Sequence, residues 1–334
     1  MEAKSSKSLT GLAGTESGGT SQIRLTKGQK RLIYFKRHGI LYLMLLLPIS
    51  YFVIFRYAPM TNILMAFKEN NFLKPVWEVP WAAHNGFDWF LKAFVNRDFL
   101  QALRNTVTLN LLDLVLGFPA PIILALLLNE LAFKRFKRVT QTVAYMPHFL
   151  SWIIISSMAL QLFAPNPPTQ GLINIVLGRL GLGPIHFLDQ SANWVLTYIF
   201  LGIWQSVGWN TIIYLAAITS ISPELYEAAS VDGATRLRKI WHITLPGLKP
   251  TIIILLIMAL GRIVGSDFDR PYTLANSMVK DVSNVLSVFV YNWGLKSNQF
   301  ALATAVGLFQ SIVGLIFVLG SNAIAEKMGE RGIW

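Results

Sequence analysis

Six stretches of this chain are apolar over twenty residues or so, near 38–58, 105–129, 141–163, 193–219, 248–268 and 299–323. A helix needs about 20 residues to cross the hydrocarbon core of a bilayer. Only 14% of the residues are charged and 53% are hydrophobic, whereas a soluble domain carries about 25% charged residues. The pattern predicts an all-α polytopic membrane protein with six transmembrane helices. Pro119, Pro121 and Pro147 interrupt the second and third segments, and neighbouring helices in a membrane bundle can absorb such breaks.

Lys and Arg set the orientation. The net charge of +12 does not point to nucleic acid, because the basic residues cluster in short loops beside apolar spans. Of the 29 basic residues, eighteen fall in the tail, in 134–138, in 236–249 and at the C-terminus, and nine fall in the three other loops. Cytoplasmic loops carry the excess, so N-terminus and C-terminus are both expected inside. Residues 1–37 form the cytoplasmic tail, disordered over 1–22 and basic from Arg24 to Arg37. Its stretch 25–37 lies on the membrane surface or simply flanks the first span. No small-residue cleavage site follows the first apolar run, so that run is expected to stay as an uncleaved span. The loop 59–104 falls outside. Its Trp77, Trp81 and Trp89, with Tyr272, Tyr291 and Trp293 of the loop 269–298, are interfacial belt residues or contacts for an external partner or sugar. Cysteine is absent, which excludes a disulfide framework, a thiolate zinc site and a cysteine nucleophile.

One water-facing segment, 222–246 (SPELYEAASVDGATRLRKIWHITLP), lies between the fourth and fifth spans on the cytoplasmic side. It reads as two short helices. Ser222 and Pro223 suit an N-cap and a first helical position. Asp232 is a candidate cap for the second piece, Gly233 makes the bend, and Pro246 ends the pattern. The spacing Glu227-Ala228-Ala229, three residues, Gly233, nine residues, Ile243, one residue, Leu245-Pro246 reproduces the EAA motif of ABC-importer permeases. Residues 105–325 resemble the type-1 transmembrane domain of that family. LLLPISYFVIFRYAPMTNILMAF (45–67), WFLKAF (89–94) and LRNTV (103–107) are similar to its carbohydrate-uptake permeases, in the oligosaccharide and multiple-sugar branch that resembles maltose-type permeases.

The resemblance implies a heteromeric complex in the bacterial cell membrane. A second homologous permease, two cytoplasmic ATPase subunits and an extracytoplasmic solute-binding protein would complete it. The segment 222–246 would be a coupling helix seated in a groove of the ATPase, with Glu227 meeting a basic residue there. Ala228 and Ala229 would allow close approach and Gly233 would turn the chain. ATP and Mg would be bound by the partner, with no cofactor in this chain. Consistently, the sequence holds no G-x4-GK[ST] phosphate loop, no H-E-x-x-H and no G-x-S-x-G. The five histidines, His38, His84, His148, His186 and His242, are scattered without metal-ligand neighbours in sequence.

At about 100° per residue, Trp194, Tyr198, Gln205 and Trp209 share one arc of the fourth span, widened by Ser206 and Asn210, with Tyr214 further round. Rings stack on sugar C–H faces and amides bond hydroxyls, so this face is a candidate substrate path. Equally, it is a face that packs on neighbouring helices. Thr251, Met258, Arg262 and Asp269 share a stripe from the fifth segment. Arg262 and Asp113 are the charges inside apolar runs, where charge is costly and faces a cavity or a partner. Arg262 therefore pairs with Asp113 or meets substrate. In the sixth span, Thr304, Gly307, Ser311 and Gly314 form a small-residue face suited to close packing.

Two other classes compete. A secondary sugar transporter driven by an ion gradient would need intramembrane carboxylates and inverted repeats. Asp113 is the one clear candidate and no repeat is evident. A membrane-embedded glycosyltransferase would need acidic loop motifs, for which Asp267 and Asp269 are a thin basis.

Overall fold

The computed structural model describes residues 27–71, 73–165, 170–265, 267–329 and 332–333. Most of the tail expected at 1–37 lies outside the described residues. The chain divides into two compact units, Met1–Thr61 and Asn62–Trp334.

In the first unit a helix runs from Lys27 to Phe52, so the basic segment continues directly into the apolar run. Between Ile40 and Met60 nearly every apolar side chain is exposed. That is the surface of a helix meant for lipid or for another protein.

Among the described residues, five helices are long and apolar enough to cross a membrane: His38–Phe67, Arg97–Glu130, Ser191–Thr219, Arg236–Leu260 and Phe300–Lys327. They are the first, second, fourth, fifth and sixth spans below. In third place stands a pair, Lys134–Phe149 and Trp152–Phe163, bent by 102°. The sequence predicted one interrupted span here over 141–163. Pro147 sits in the tight turn Met146–Phe149, and Ser151 starts a new helix by accepting from the Ile154 N–H. The chain therefore turns a corner instead of kinking.

Proline acts differently elsewhere. Three single π-helical turns, Val53–Tyr57, Asp113–Gly117 and Ile240–Thr244, each end two residues before a proline: Pro59, Pro119 and Pro246. A proline ring clashes with the carbonyl four residues back and supplies no N–H to it. Widening the preceding turn moves that carbonyl aside. The residue after each turn then bonds five residues back: Ala58 to Val53, Phe118 to Asp113 and Leu245 to Ile240. Helical direction survives all three prolines.

The fifth span departs from expectation at both ends. It was predicted over 248–268 but stops at Leu260. The Gly261 backbone packs against Gly314 of the sixth span, where a Cβ would collide with the Gly261 carbonyl. Beyond it, the Asn110 amide of the second span donates to the carbonyls of Ile263 (2.8 Å) and Gly265 (2.6 Å), and Gln310 donates to that of Val264 (3.1 Å). Side chains from two neighbours thus take carbonyls that further helix would have used. At the other end, Pro246 was expected to stop the pattern. Instead the helix runs through it from Arg236.

The second unit is held by three apolar clusters. One joins Leu109, Ile155, Phe163, Trp194, Tyr198 and Ile199 to Leu274, Val279 and Val285 of the loop before the sixth span. A second joins Phe99, Ile263, Val264, Phe289 and Val306. A third joins Ala125, Tyr214, Ile218 and Leu248. Gly208 lets the fourth span lie against the Ala144 carbonyl. Gly307, grouped above with the small-residue face, has nothing within 4 Å, whereas Gly314 is in close contact. In the loop before the second span, Lys68 donates to the Val79 carbonyl (2.8 Å) and lies over the Trp81 ring. Trp89 donates to the Lys68 carbonyl (2.8 Å).

Candidate functional site

The second, fourth and fifth spans enclose an open cavity of about 540 Å³. Its polar wall is Asn110, Asp113, Ser206, Asn210, Tyr214, Arg262, Asp267 and Arg270, and its apolar lining includes Leu114, Phe118, Ile203, Ile213, Leu255 and Ala259. Sites of this size with a few convergent polar groups on apolar walls suit small ligands.

Arg270 organises one end. It belongs to a short helix, Asp269–Leu274, counted in the sequence as part of an outer loop. Its guanidinium is nevertheless buried. Nη1 donates to Asp113 Oδ2 at 2.7 Å, and Nη2 donates to Asp113 Oδ1 at 3.3 Å and to the Tyr198 carbonyl at 2.5 Å. The charge lies 3.7 Å from the centre of the Tyr198 ring. Such a forked, charge-assisted pair is among the strong hydrogen-bonded arrangements. It fits because Gly202 lies beneath, where any Cβ would collide with the guanidinium. Of the two alternatives for Arg262, the pair with Asp113 is not formed. Asp113 takes Arg270, and Arg262 stands exposed in the cavity wall with no ion pair among the described residues.

The candidate path residues divide. Asn210, Tyr214 and Arg262 line the cavity, as does Ser206. Trp194 and Tyr198 lie in the apolar core, stacked at 5.0 Å, and Trp194 donates to the Leu274 carbonyl (2.9 Å). Gln205 donates to the His148 carbonyl (3.4 Å), and Trp209 stacks on the His148 ring at 4.5 Å. Those four lie outside the cavity lining, with Trp194 and Tyr198 buried and Trp209 still exposed. Asp269 is exposed beside the cavity, whose lining takes Asp267 instead. Asn110 and Arg270 escaped the sequence reading. The signal available for Arg270 was Asp113 itself, since an intramembrane carboxylate requires a cation.

At the other end of the fifth span lies the elbow. One helix runs from Pro223 to Val231 and another begins at Arg236. Gly233 has φ +73°, a left-handed conformation that favours glycine. Thr235, not Asp232, caps the second helix, accepting from the Arg238 N–H, and Ser222 makes no side-chain cap bond. Inside the elbow, Tyr226 and Thr244 share a hydrogen bond of 3.0 Å, and Lys239 donates to Ser230 at 2.7 Å. Glu227 and Ala228 are exposed, as are Leu225, Val231 (89%) and Leu237 (69%). Ile243, Leu245 and Pro246 lie within the helical run Arg236–Leu260, whose far end reaches the cavity at Leu255 and Ala259.

Residues 117–329 match the binding-protein-dependent transport system inner membrane component family. The chain belongs to that family. It is a multi-pass inner-membrane component of an ABC-type transport system, a transporter subunit and not an enzyme. Protein LplB of Bacillus subtilis (strain 168) is 41% identical over 92% of this chain and 95% of its own length. A polygalacturonan/rhamnogalacturonan transport system permease protein, YteP, of the same organism is 42% identical over 92% and 94%. Among solved structures, a bacterial alginate ABC transporter in complex with alginate pentasaccharide-bound periplasmic protein contains a chain that superposes with TM-score 0.81. The two are 38% identical over 90% of this chain and 98% of that one.

Proposed function

We propose that this permease subunit carries oligosaccharides inward through the cavity between its second, fourth and fifth spans, driven by ATP hydrolysed on separate subunits. A solute-binding protein delivers the sugar from outside. A second, homologous permease completes the pathway, and two cytoplasmic ATPases bind ATP and Mg. The N- and C-termini face the cytoplasm, as does the elbow 222–246.

The observation that carries this reading is the single helix Arg236–Leu260, which has elbow residues at one end and cavity wall at the other. At 1.5 Å per residue such a helix spans about 37 Å, enough to carry a displacement across the bilayer as a rigid body. Leu225, Val231 and Leu237 are exposed on the same elbow as Glu227 and offer the ATPase an apolar seat. In the cavity, Asn110, Ser206, Asn210 and Tyr214 present hydroxyl and amide partners for sugar. Arg262 supplies an uncommitted cation.

Co-purification of the ATPase subunits with the permease tests the elbow. Glu227→Ala is expected to leave the permease in the membrane and to reduce ATPase recovery and transport together. Full recovery and full transport would refute the assignment.

A further inference from the structure

A second pocket, of about 310 Å³, opens on the loop between the fifth and sixth spans. Tyr272, Asn284, Asn292, Lys280 and Lys296 line it. It shares a wall with the cavity. Arg270 and Tyr272 are two residues apart on the helix Asp269–Leu274, so they point to opposite faces, one lining each space.

The chemistry of this pocket is distinct. Lys280 and Lys296 form no ion pair among the described residues. Asp281, the nearest acid in sequence, forms no ion pair among the described residues, and its carboxylate accepts the single Ser191 hydroxyl proton (2.8 Å at the shorter contact). The Lys296 ammonium stands 5.0 Å from the Tyr291 ring centre and 5.8 Å from that of Tyr272. Those two rings and Phe268 form one aromatic cluster, with centroids 4.7 to 5.3 Å apart. Two lysines without an ion pair among the described residues, an exposed ring and two amides answer one ligand chemistry. A sugar ring stacks on tyrosine, hydroxyls meet amides, and a carboxylate meets the lysines.

We propose that this pocket is an outer subsite for a uronate residue of an acidic oligosaccharide, occupied before the chain rounds the helix Asp269–Leu274 into the cavity. The proposal rests on the oligosaccharide reading above and adds the charge of the substrate and where it is first held.

The test uses the complete importer in proteoliposomes with its binding protein and two probes, a galacturonate trimer and a neutral galactose trimer. In the Lys280→Gln/Lys296→Gln variant, the half-saturating concentration for the acidic probe should rise about tenfold or more relative to that for the neutral one. Lys280→Arg/Lys296→Arg should restore most of the preference. An unchanged ratio in the Gln variant overturns the subsite, as does wild-type uptake of the neutral trimer alone, and in both cases the oligosaccharide reading stands. Wild-type uptake of neither probe overturns both.

Discussion

Arg270 and Asp113 stand 157 positions apart in sequence and meet in a two-pronged pair, 2.7 Å at its shorter contact. The pair fastens the short helix Asp269–Leu274 to the π-helical turn of the second span, directly over Gly202 of the fourth. Three elements are tied by one guanidinium at the wall of the cavity. Arg270→Met should strand Asp113 and cost about 3 kcal/mol of stability, seen as a lower melting temperature of the detergent-purified chain. Adding Asp113→Asn should recover part of the loss. An unchanged melting temperature in the single variant would show the pair to be dispensable.

Arg262 should behave in the opposite way. Its charge is exposed in the cavity wall without an ionic partner among the described residues, so Arg262→Met removes no ion pair of the fold. Normal assembly with reduced uptake of acidic oligosaccharide is expected, measured in the reconstituted importer. A folding defect relieved by neutralising Asp113 would instead mean that Arg262 and Asp113 pair.

The elbow allows a clean separation of strain from docking. Gly233 has φ +73°, and a Cβ added there would meet nothing of this chain within 4 Å. Gly233→Ala should therefore cost only about 1 kcal/mol of left-handed strain and keep most transport. Gly233→Trp starts into the same open space, so a loss of ATPase co-purification would report obstruction of the partner's seat.

Two glycines of the bundle should differ sharply. Gly208→Ala drives a methyl into the Ala144 carbonyl and should cost about 1–3 kcal/mol by overpacking. Gly307→Ala enters open space within a helix, where alanine is favoured by up to about 1 kcal/mol. Melting temperatures of the purified chain should fall in the first and hold or rise in the second.

Five of the six expected spans were legible because hydrophobic length is a local property, whereas the third is a pair of helices bent by 102°. Gly233 was legible too, because the motif spacing is local. What stayed hidden depends on partners distant in sequence. The fifth span looked apolar through residue 268, but Asn110 and Gln310, on other helices, draw off its last carbonyls. Arg270 read as a loop charge, because nothing beside it in sequence shows that Asp113 waits across the fold. The stripe from Trp194 to Trp209 was periodic as expected. Periodicity identifies a face without saying whether it meets a cavity or a neighbour, and here Asn210 and Tyr214 meet the cavity while Trp194 and Tyr198 meet the core. Pro246 was misjudged because a π-helical turn lets a helix pass a proline.

ATP-dependent uptake is the most direct test of the central claim. The permease, its second permease, the ATPases and the binding protein would be reconstituted in vesicles, and entry of labelled oligosaccharide followed. Uptake should require ATP and the ATPase subunits and should persist when an uncoupler abolishes ion gradients. Uptake that continues without the ATPases and collapses with the uncoupler would contradict it.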